Sequence, residues 1–290
     1  MKVHLNGNIV DERDAHISVL DRGFLFGDGV YELLRYFDGF GVGVDAHARR
    51  LARSLSLARI DGFDAASLEG LAEGLLEANG LRDAVVYIQV TRGAGRTRAH
   101  VPTEPLTPTV FAMATPAEPL GALSAPQRIS AVTAEDLRWR LCEIKTLSLM
   151  GNILHLLDAD ARGAGEAILH RDGLVGEGAY SNVAIVRGGA LVTTPVSEDP
   201  PILHGIARSD LLAAAAHEGI SAEVRPIRLE ELRSADEVMI TSSRRLASAV
   251  TMLDGAAVGD GDAGPITNRL FGRMRDDIAA AMEAHAAPRR

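Results

Sequence analysis

The chain has 290 residues, 47% of them hydrophobic, and a formal net charge of −9. This size predicts one large or two modest domains, and an acidic balance without blocks of like charge argues against nucleic acid and anionic membranes as partners. Because Cys142 is the only cysteine, no intrachain disulfide can form, and a reducing compartment is favoured. The N-terminus is polar and no run approaches the roughly 20 apolar residues of a membrane helix, so we expect a cytoplasmic protein.

The first part of the chain is predicted to mix strands and helices. Turn residues at Asn6-Gly7 or Gly7-Asn8 predict a short hairpin over 3–10. Asp45 is expected to cap the helix that follows it, and Gly80 is expected to close the next helix. The predicted strands are 30–37, 84–91 and 109–115, and the predicted helices are 46–59 and 65–79.

Residues 116–126 are rich in Pro, Gly and Ser and lack clean periodicity, so they are predicted to be an interdomain linker between domains 1–115 and 127–290. The second domain carries predicted helices and strands without a strict βαβ alternation, which favours an α+β fold over a doubly wound parallel sheet. Its predicted helices are 147–162, 206–217 and 265–283, and its predicted strands are 128–133, 166–170, 183–187, 190–194, 222–226 and 237–241.

Lys145 lies in a mostly apolar stretch, just before a predicted helix, with Ile144 and Leu147 as apolar neighbours. A lysine taken alone is usually a solvated surface residue. Desolvation, however, disfavours the charged form of a lysine, and a neutral lysine can form a Schiff base with an aldehyde cofactor. The context of Lys145 favours this second interpretation.

Pyridoxal phosphate would also need an acid for its ring nitrogen and a cradle for its phosphate. Glu177, between two glycines, is either a surface turn residue or an anion that keeps a pyridine nitrogen protonated. Three places suit a phosphate: the helix start at 204–208, the hydroxyls of 241–243 and the guanidinium of Arg50. Each also has a structural interpretation, as a helix cap, a turn or an exposed arginine. The chain has no GxxxxGK[ST] or GxGxxG loop, so nucleotide binding through such loops is not supported.

Arg98 and His100 lie on a glycine-rich loop, 91–102, that follows a predicted buried strand. Loops at strand ends often carry binding groups, and arginine suits a carboxylate. From composition alone, a solvated basic loop is an equally good interpretation.

Taken together, these residues resemble the fold-type IV pyridoxal-phosphate enzymes over nearly the whole chain. That group includes branched-chain aminotransferases, aminodeoxychorismate lyase and D-amino acid aminotransferases. Segment 21–32 is similar to the N-terminal motif of the group, 47–51 to its phosphate-arginine helix, and 177–182 to its E-x-x-x-S-N segment. Lys145 stands at the Schiff-base position. Tyr31 with 98–100 and the surroundings of Lys145 are most similar to the D-amino acid aminotransferases.

The resemblance implies two mixed α/β domains with pyridoxal 5′-phosphate between them, and a homodimer. It implies a ping-pong transamination of D-amino acids such as D-alanine with a 2-oxo acid, 2-oxoglutarate or pyruvate, in which Lys145 is Schiff base and general acid/base. The implied substrate-binding residues are Tyr31, Arg98 and His100, which hold the α-carboxylate. The implied cofactor-binding residues are Arg50, Lys145, Glu177, Ser181, Asn182, Ile206, Ala207, Thr241 and Ser242, and no metal site is expected.

The chain departs from the pattern of the group at three places. Ala207 stands where threonine or serine is usual, Tyr180 replaces a small residue, and Arg244-Arg245 replace uncharged residues. The alternatives on the same fold are aminodeoxychorismate lyase and L-branched-chain or (R)-amine aminotransferases, against which Arg98 and His100 argue. A non-catalytic pyridoxal-phosphate-binding protein is the alternative from another class.

Overall fold

The computed structural model describes residues 1–196 and 199–286. It contains two compact units. The first unit consists of Met1–Pro119 and Ile144–Leu149, and the second of Leu120–Glu143 and the described residues from Met150 onwards. The first unit ends inside the predicted linker, and the segment that carries Lys145, placed by the sequence in the second domain, packs in the first unit.

The first unit is built on a six-stranded antiparallel sheet with the strand order β2-β1-β6-β5-β3-β4. Its strands are β1 (Lys2–Leu5), β2 (Asn8–Asp11), β3 (Gly29–Phe37), β4 (Phe40–Gly41), β5 (Ala84–Thr91) and β6 (Thr109–Pro116). Its helices are α1 (Arg22–Phe26), α2 (Val44–Ala58) and α3 (Leu68–Asn79). Leucines of α2 and α3 and the inward residues of β3, β5 and β6 form its core, since alternate residues of a strand point to the same face.

The predicted hairpin is confirmed, and the structure selects Asn6-Gly7 as its turn. Leu5 pairs with Asn8, and Asn6 and Gly7 have φ angles of 49° and 86°. Two central residues with positive φ define the turn that matches the twist of a two-residue hairpin.

The predicted cap of α2 is wrong. The helix begins at Val44 after Gly43, whose φ of 60° lies in the left-handed region, and no side chain caps it. Asp45 lies within the first turn instead, where its charge favours the helix dipole without a capping hydrogen bond.

The second unit is built on a ten-stranded mixed sheet, with β16 beside β15 and the order β12-β11-β10-β14-β15-β7-β8-β9-β13. Its strands are β7 (Gln127–Glu135), β8 (Glu166–Arg171), β9 (Leu174–Gly178), β10 (Asn182–Arg187), β11 (Ala190–Thr193), β12 (Ala222–Val224), β13 (Ile227–Arg228), β14 (Glu237–Ser242), β15 (Leu246–Leu253) and β16 (Ala256–Ala257). Its helices are α4 (Met150–Ala161), α5 (Ile206–His217), α6 (Leu229–Arg233) and α7 (Pro265–Ala286). Parallel pairs occur only at β11–β12, β15–β7 and β7–β8 within the described strands, so the α+β prediction is confirmed.

Two predicted boundaries in this part of the chain are wrong. The helix predicted from 147 begins at Met150, because Thr146 and Leu147 are extended alongside β3 and the amide of Leu147 donates to the carbonyl of Gly29. The strand predicted over 222–226 ends at Val224, and the next strand, β13, pairs with β9 instead of β11. Strands β9 and β15 were not predicted, since the glycines around Glu177 and the small residues of β15 hide the alternation of a strand. None of the helices in the described ranges is long and apolar enough to span a membrane.

Candidate active site

Lys145 is held by its backbone on the edge of the first sheet. Its carbonyl accepts a 2.9 Å hydrogen bond from the amide of Tyr31, and its own amide donates to Oγ of Ser54 at 3.2 Å. Its Nζ lies 4.3 Å from the centre of the Tyr31 ring. No carboxylate in the described parts of the chain pairs with this ammonium group. The side chain is therefore held next to an aromatic face without a counter-ion that would stabilise its charge.

Arg50 lies next to a buried carboxylate, on the inner face of α2. Its Nε and Nη2 donate to the two oxygens of Glu32 at 2.7 and 2.8 Å, and Nδ1 of His47 lies 2.7 Å from Glu32 Oε2. Burial alone would raise the pKa of Glu32, but the hydrogen bonds and charges of Arg50 and His47 lower it to about 2. Burial lowers the pKa of His47, against the effect of Glu32. The interpretation of Arg50 as an exposed arginine is wrong, and Glu32 and His47 position it.

The loop that carries Arg98 and His100 is attached to α1. Arg22 donates to the carbonyls of Ala99 and His100 at 2.5 and 2.8 Å. The guanidinium of Arg98 lies 4.8 Å from the centre of the Phe26 ring, and the His100 ring lies 5.5 Å from it. The structure thus brings Arg98 and His100 together. Within residues 1–196 and 199–286, no hydrogen bond or ring contact joins either of them to Tyr31.

Glu177 is a buried residue of β9, so its interpretation as a surface turn residue is wrong. Its Oε1 accepts from Arg138 at 3.0 Å, and its Oε2 accepts from the amide of Leu203 at 2.9 Å and from Asn182 at 3.3 Å. Burial raises the pKa of Glu177, whereas Arg138 and the Leu203 amide oppose this rise.

Arg138 was not found from the sequence. It also makes a two-bonded pair with Asp136, with Nε–Oδ1 and Nη2–Oδ2 distances of 2.9 and 3.0 Å. The sequence could have indicated the Asp136–Arg138 pair through its D-x-R spacing, because residues two apart in an extended segment point to the same side. Arg140, two residues later, is exposed and paired with Asp199.

The start of α5 offers unpaired backbone N–H groups. Its N-cap residue is Gly205, and no side chain caps the helix, which leaves the first-turn amides, those of Ile206 and Ala207 among them, for a ligand. Arg208 fixes this turn by donating to Thr193 Oγ1 and to the carbonyl of Thr194. A Cβ at position 205 would lie 1.7 Å from Oδ1 of Asn182, so only glycine allows this close approach.

The hydroxyls of Thr241 and Ser242 lie at the end of β14, where Thr241 pairs with Asn182 of β10. Oγ1 of Thr241 is buried and has no hydrogen-bond partner among the described residues. An unsatisfied buried hydroxyl costs about 1–3 kcal/mol. A bound anion at this strand end would remove that cost, and so this observation fits a phosphate group.

Ser181 is fixed by Glu166, a residue to which the sequence assigned no role. Its Oγ donates to Oε2 of Glu166 at 2.6 Å, and Oε1 of Glu166 accepts from the amides of Ala167 and Ala179. Burial raises the pKa of Glu166 to about 7 against these hydrogen bonds. The bond between Ser181 and Glu166 therefore fixes the connection between β9 and β10. In the sequence, Glu166 could have been noticed as a glutamate at the start of a predicted buried strand.

The family model for amino-transferase class IV matches residues 29–253. The chain belongs to the class IV aminotransferases. Members of this family depend on pyridoxal 5′-phosphate, so the predicted cofactor and enzyme class are confirmed. In the first unit, the amine of Lys145 suits an aldehyde. In the second unit, the amides at the start of α5 and the buried Thr241 hydroxyl, which has no partner among the described residues, suit a phosphate.

This class IV aminotransferase is similar to curated bacterial enzymes. It is 38% identical over 271 residues to the D-alanine aminotransferase of Staphylococcus haemolyticus, covering 93% of this chain and 95% of that enzyme. It is 37% identical over 284 residues to the D-alanine aminotransferase of Bacillus licheniformis, covering 96% and 97%.

Solved structures of branched-chain aminotransferases share its fold. The enzyme from the archaeon Thermoproteus uzoniensis, solved with norvaline, has a TM-score of 0.85 and 27% identity, covering 98% of this chain and 97% of that one. The Escherichia coli enzyme has a TM-score of 0.84 and 23% identity, covering 96% and 93%. The fold-type IV prediction is thereby confirmed.

Proposed function

We propose that this protein transfers the amino group of D-amino acids, such as D-alanine, to a 2-oxo acid, either 2-oxoglutarate or pyruvate. The observation that carries the proposal is Lys145, held through its backbone, with its ammonium beside Tyr31 and no carboxylate partner among the described residues. The D-alanine aminotransferases that are 37–38% identical to this chain support the choice of D-amino acids.

Pyridoxal phosphate, when bound, supplies an aldehyde that joins to an amine and a ring that accepts electrons. The residues that would hold it are those predicted from the sequence: Arg50, Lys145, Glu177, Ser181, Asn182, Ile206, Ala207, Thr241 and Ser242. Ala207 offers an amide but no hydroxyl, a loss worth about 1 kcal/mol.

Lys145 acts as the base that removes the Cα proton of the substrate and later returns it. No carboxylate among the described residues pairs with its Nζ, so no ion pair has to be broken before the amine takes up a proton. The buried Glu177 carboxylate, which accepts a hydrogen bond from Arg138 at 3.0 Å, would stabilise a positive charge on the pyridine nitrogen. The role of Glu177 is electrostatic and depends on its burial away from water.

Arg98 and His100 bind the α-carboxylate of the substrate, with Tyr31 as the third group. Arginine suits this task because its planar fork matches a carboxylate. The loop is held at the carbonyls of Ala99 and His100 by Arg22, so the cation is positioned before the substrate arrives. The side from which the carboxylate is held decides which enantiomer presents its proton to Lys145.

A homodimer in the cytoplasm is part of the same proposal. α4 exposes four large apolar side chains at helical spacing, Met150, Ile153, Leu154 and Leu157. Such a stripe costs free energy in water and suits burial against a second copy. Sedimentation at the mass of one 30.8 kDa chain at working concentrations would contradict the dimer.

The test is the visible absorbance of the cofactor-loaded protein after mixing with D-alanine, L-alanine or L-leucine. A change with D-alanine alone is the expected result. A change with the L-amino acids instead would move the protein to the branched-chain enzymes, whose solved structures share its fold. No change with any of them would favour the lyase or a cofactor-binding protein.

A further inference from the structure

Two adjacent arginines, Arg244 and Arg245, occupy the turn between β14 and β15. Nη1 of Arg245 lies 3.3 Å from the hydroxyl oxygen of Tyr180, and that hydroxyl donates to the carbonyl of Gly165 at 3.1 Å. Arg244 is exposed, and Arg245 is half-buried. Tyr180 thus orients one guanidinium, while its neighbour in the chain is open to solvent.

Both arginines lack an ion-pair partner among the described residues of the second unit. Arg138, Arg225 and Arg233 of the same unit, by contrast, all pair with carboxylates. Both positive charges act on the Tyr180 hydroxyl. Burial, followed by Glu166, raises the pKa of Tyr180, whereas Arg245 and Arg244 lower it. The turn therefore carries two positive charges that no acidic side chain within 1–196 and 199–286 neutralises.

This turn adjoins residues proposed to bind the cofactor. It follows Ser242 directly, and Tyr180 directly precedes Ser181 and Asn182. Asn182 pairs with Thr241 in the sheet. The Tyr180–Asn182 segment and the turn after Ser242 therefore lie at the same end of the sheet. The turn, and with it the Arg245 guanidinium held by Tyr180, thus lies at the rim of the proposed site within the second unit.

We propose that Arg244 and Arg245 bind the distal carboxylate of a dicarboxylic substrate, which makes D-glutamate or D-aspartate and 2-oxoglutarate preferred over D-alanine and pyruvate. The proposal rests on the proposed function. A guanidinium fork matches a carboxylate, and the exposed position of Arg244 suits a substrate that arrives and leaves. The phosphate of a resident cofactor has its own donors in the α5 amides and the buried Thr241 hydroxyl.

The test compares the double variant Arg244→Gln/Arg245→Gln with Arg228→Gln, which removes an exposed arginine elsewhere in the second unit. For the double variant, kcat/KM for D-glutamate and 2-oxoglutarate should fall about tenfold to a hundredfold, the size expected for lost hydrogen bonds to a charged group. The values for D-alanine and pyruvate should stay within about twofold. Tyr180→Phe, which keeps the ring, should give a smaller loss with the same selectivity.

Three outcomes would overturn the inference. Unchanged use of D-glutamate and 2-oxoglutarate by the double variant is the first. An equal loss for all substrates, with weaker binding of pyridoxal phosphate in a fluorescence titration, would assign the arginines to the cofactor phosphate. A wild-type enzyme without activity on any D-amino acid would overturn the proposed function itself. The activity of the wild type is therefore measured before any variant is compared.

Discussion

Arg138 pairs with two buried carboxylates: it is the cation that pairs with Glu177 among the described residues, and it shares Asp136 with Arg171, whose Nη2 lies 3.1 Å from Asp136 Oδ2. Arg138 binds Glu177 at 3.0 Å and Asp136 at 2.9 Å, and all three side chains are almost fully buried. Buried carboxylates without a cation are costly, because the low dielectric of the interior does not solvate their charge. The charge of Glu177, and with it the proposed stabilisation of the pyridine nitrogen, therefore depends on Arg138.

Replacing Arg138 with methionine, which keeps much of the volume, should lower the free energy of unfolding by about 3–5 kcal/mol. Arg140→Ala is the matched control, since the Arg140–Asp199 pair is exposed and should contribute at most about 1 kcal/mol. Urea denaturation of both variants measures the difference. Equal, small losses would mean that Glu177 and Asp136 are neutral in the folded protein.

At the residue scale, residue type and local context indicate candidate groups but not the side chains that pair with them. Lys145 and Glu177 were predicted from residue type, local context and family resemblance. Arg138 and Glu166 were not, because Glu177 and Ser181, which they contact, lie 39 and 15 residues away from them in the chain. Pairing between distant segments leaves no periodic signal in the chain.

Helix α5 shows which element boundaries a sequence determines. Its bounds, Ile206–His217, agree with the prediction, since Gly205 and Gly219 stop the apolar pattern on both sides. α4 begins three residues later than predicted, because hydrogen bonds to Gly29 keep Leu147 extended. A tertiary contact therefore overrides local helix propensity at that boundary.

Replacing Gly205 with alanine should disrupt the start of α5. The new Cβ would lie 1.7 Å from Asn182 Oδ1, so either Asn182 or the helix start must move. We expect weaker binding of pyridoxal phosphate and a lower free energy of unfolding. Gly272→Ala is the control: nothing lies within 4 Å of its Cβ, and this change inside α7 should stabilise by about 0.5–1 kcal/mol. Unchanged cofactor affinity in Gly205→Ala would contradict the phosphate-binding role of this helix start.

The stability of the whole molecule should respond to pH through two buried glutamates of opposite behaviour. Glu32, with a pKa lowered from 4.5 to about 2, contributes stability above pH 4.5 that is lost as the pH falls through 2. Glu166, with a pKa raised from 4.5 to about 7, favours folding below pH 4.5, and this contribution is lost as the pH rises through 7.

The variant Glu166→Gln isolates the second effect. From pH 5 to pH 8, the free energy of unfolding of the wild type should fall relative to that of the variant. Histidines contribute equally to both proteins, so their effect cancels in the difference. The exposed Glu69→Gln controls for the loss of one charge. A difference between wild type and Glu166→Gln that is constant over this range would show that the Glu166 carboxyl does not titrate there.

We propose that Lys145 carries the amino-transfer chemistry, and the chain offers a strict control for this role. Lys2 and Lys145 are its only lysines. The most direct measurement is turnover of D-alanine with 2-oxoglutarate by Lys145→Ala and Lys2→Ala, with the visible absorbance of the bound cofactor recorded for both. We predict that Lys145→Ala loses both turnover and the absorbance of lysine-bound cofactor, while Lys2→Ala keeps both. Turnover at the wild-type rate in Lys145→Ala would contradict the account.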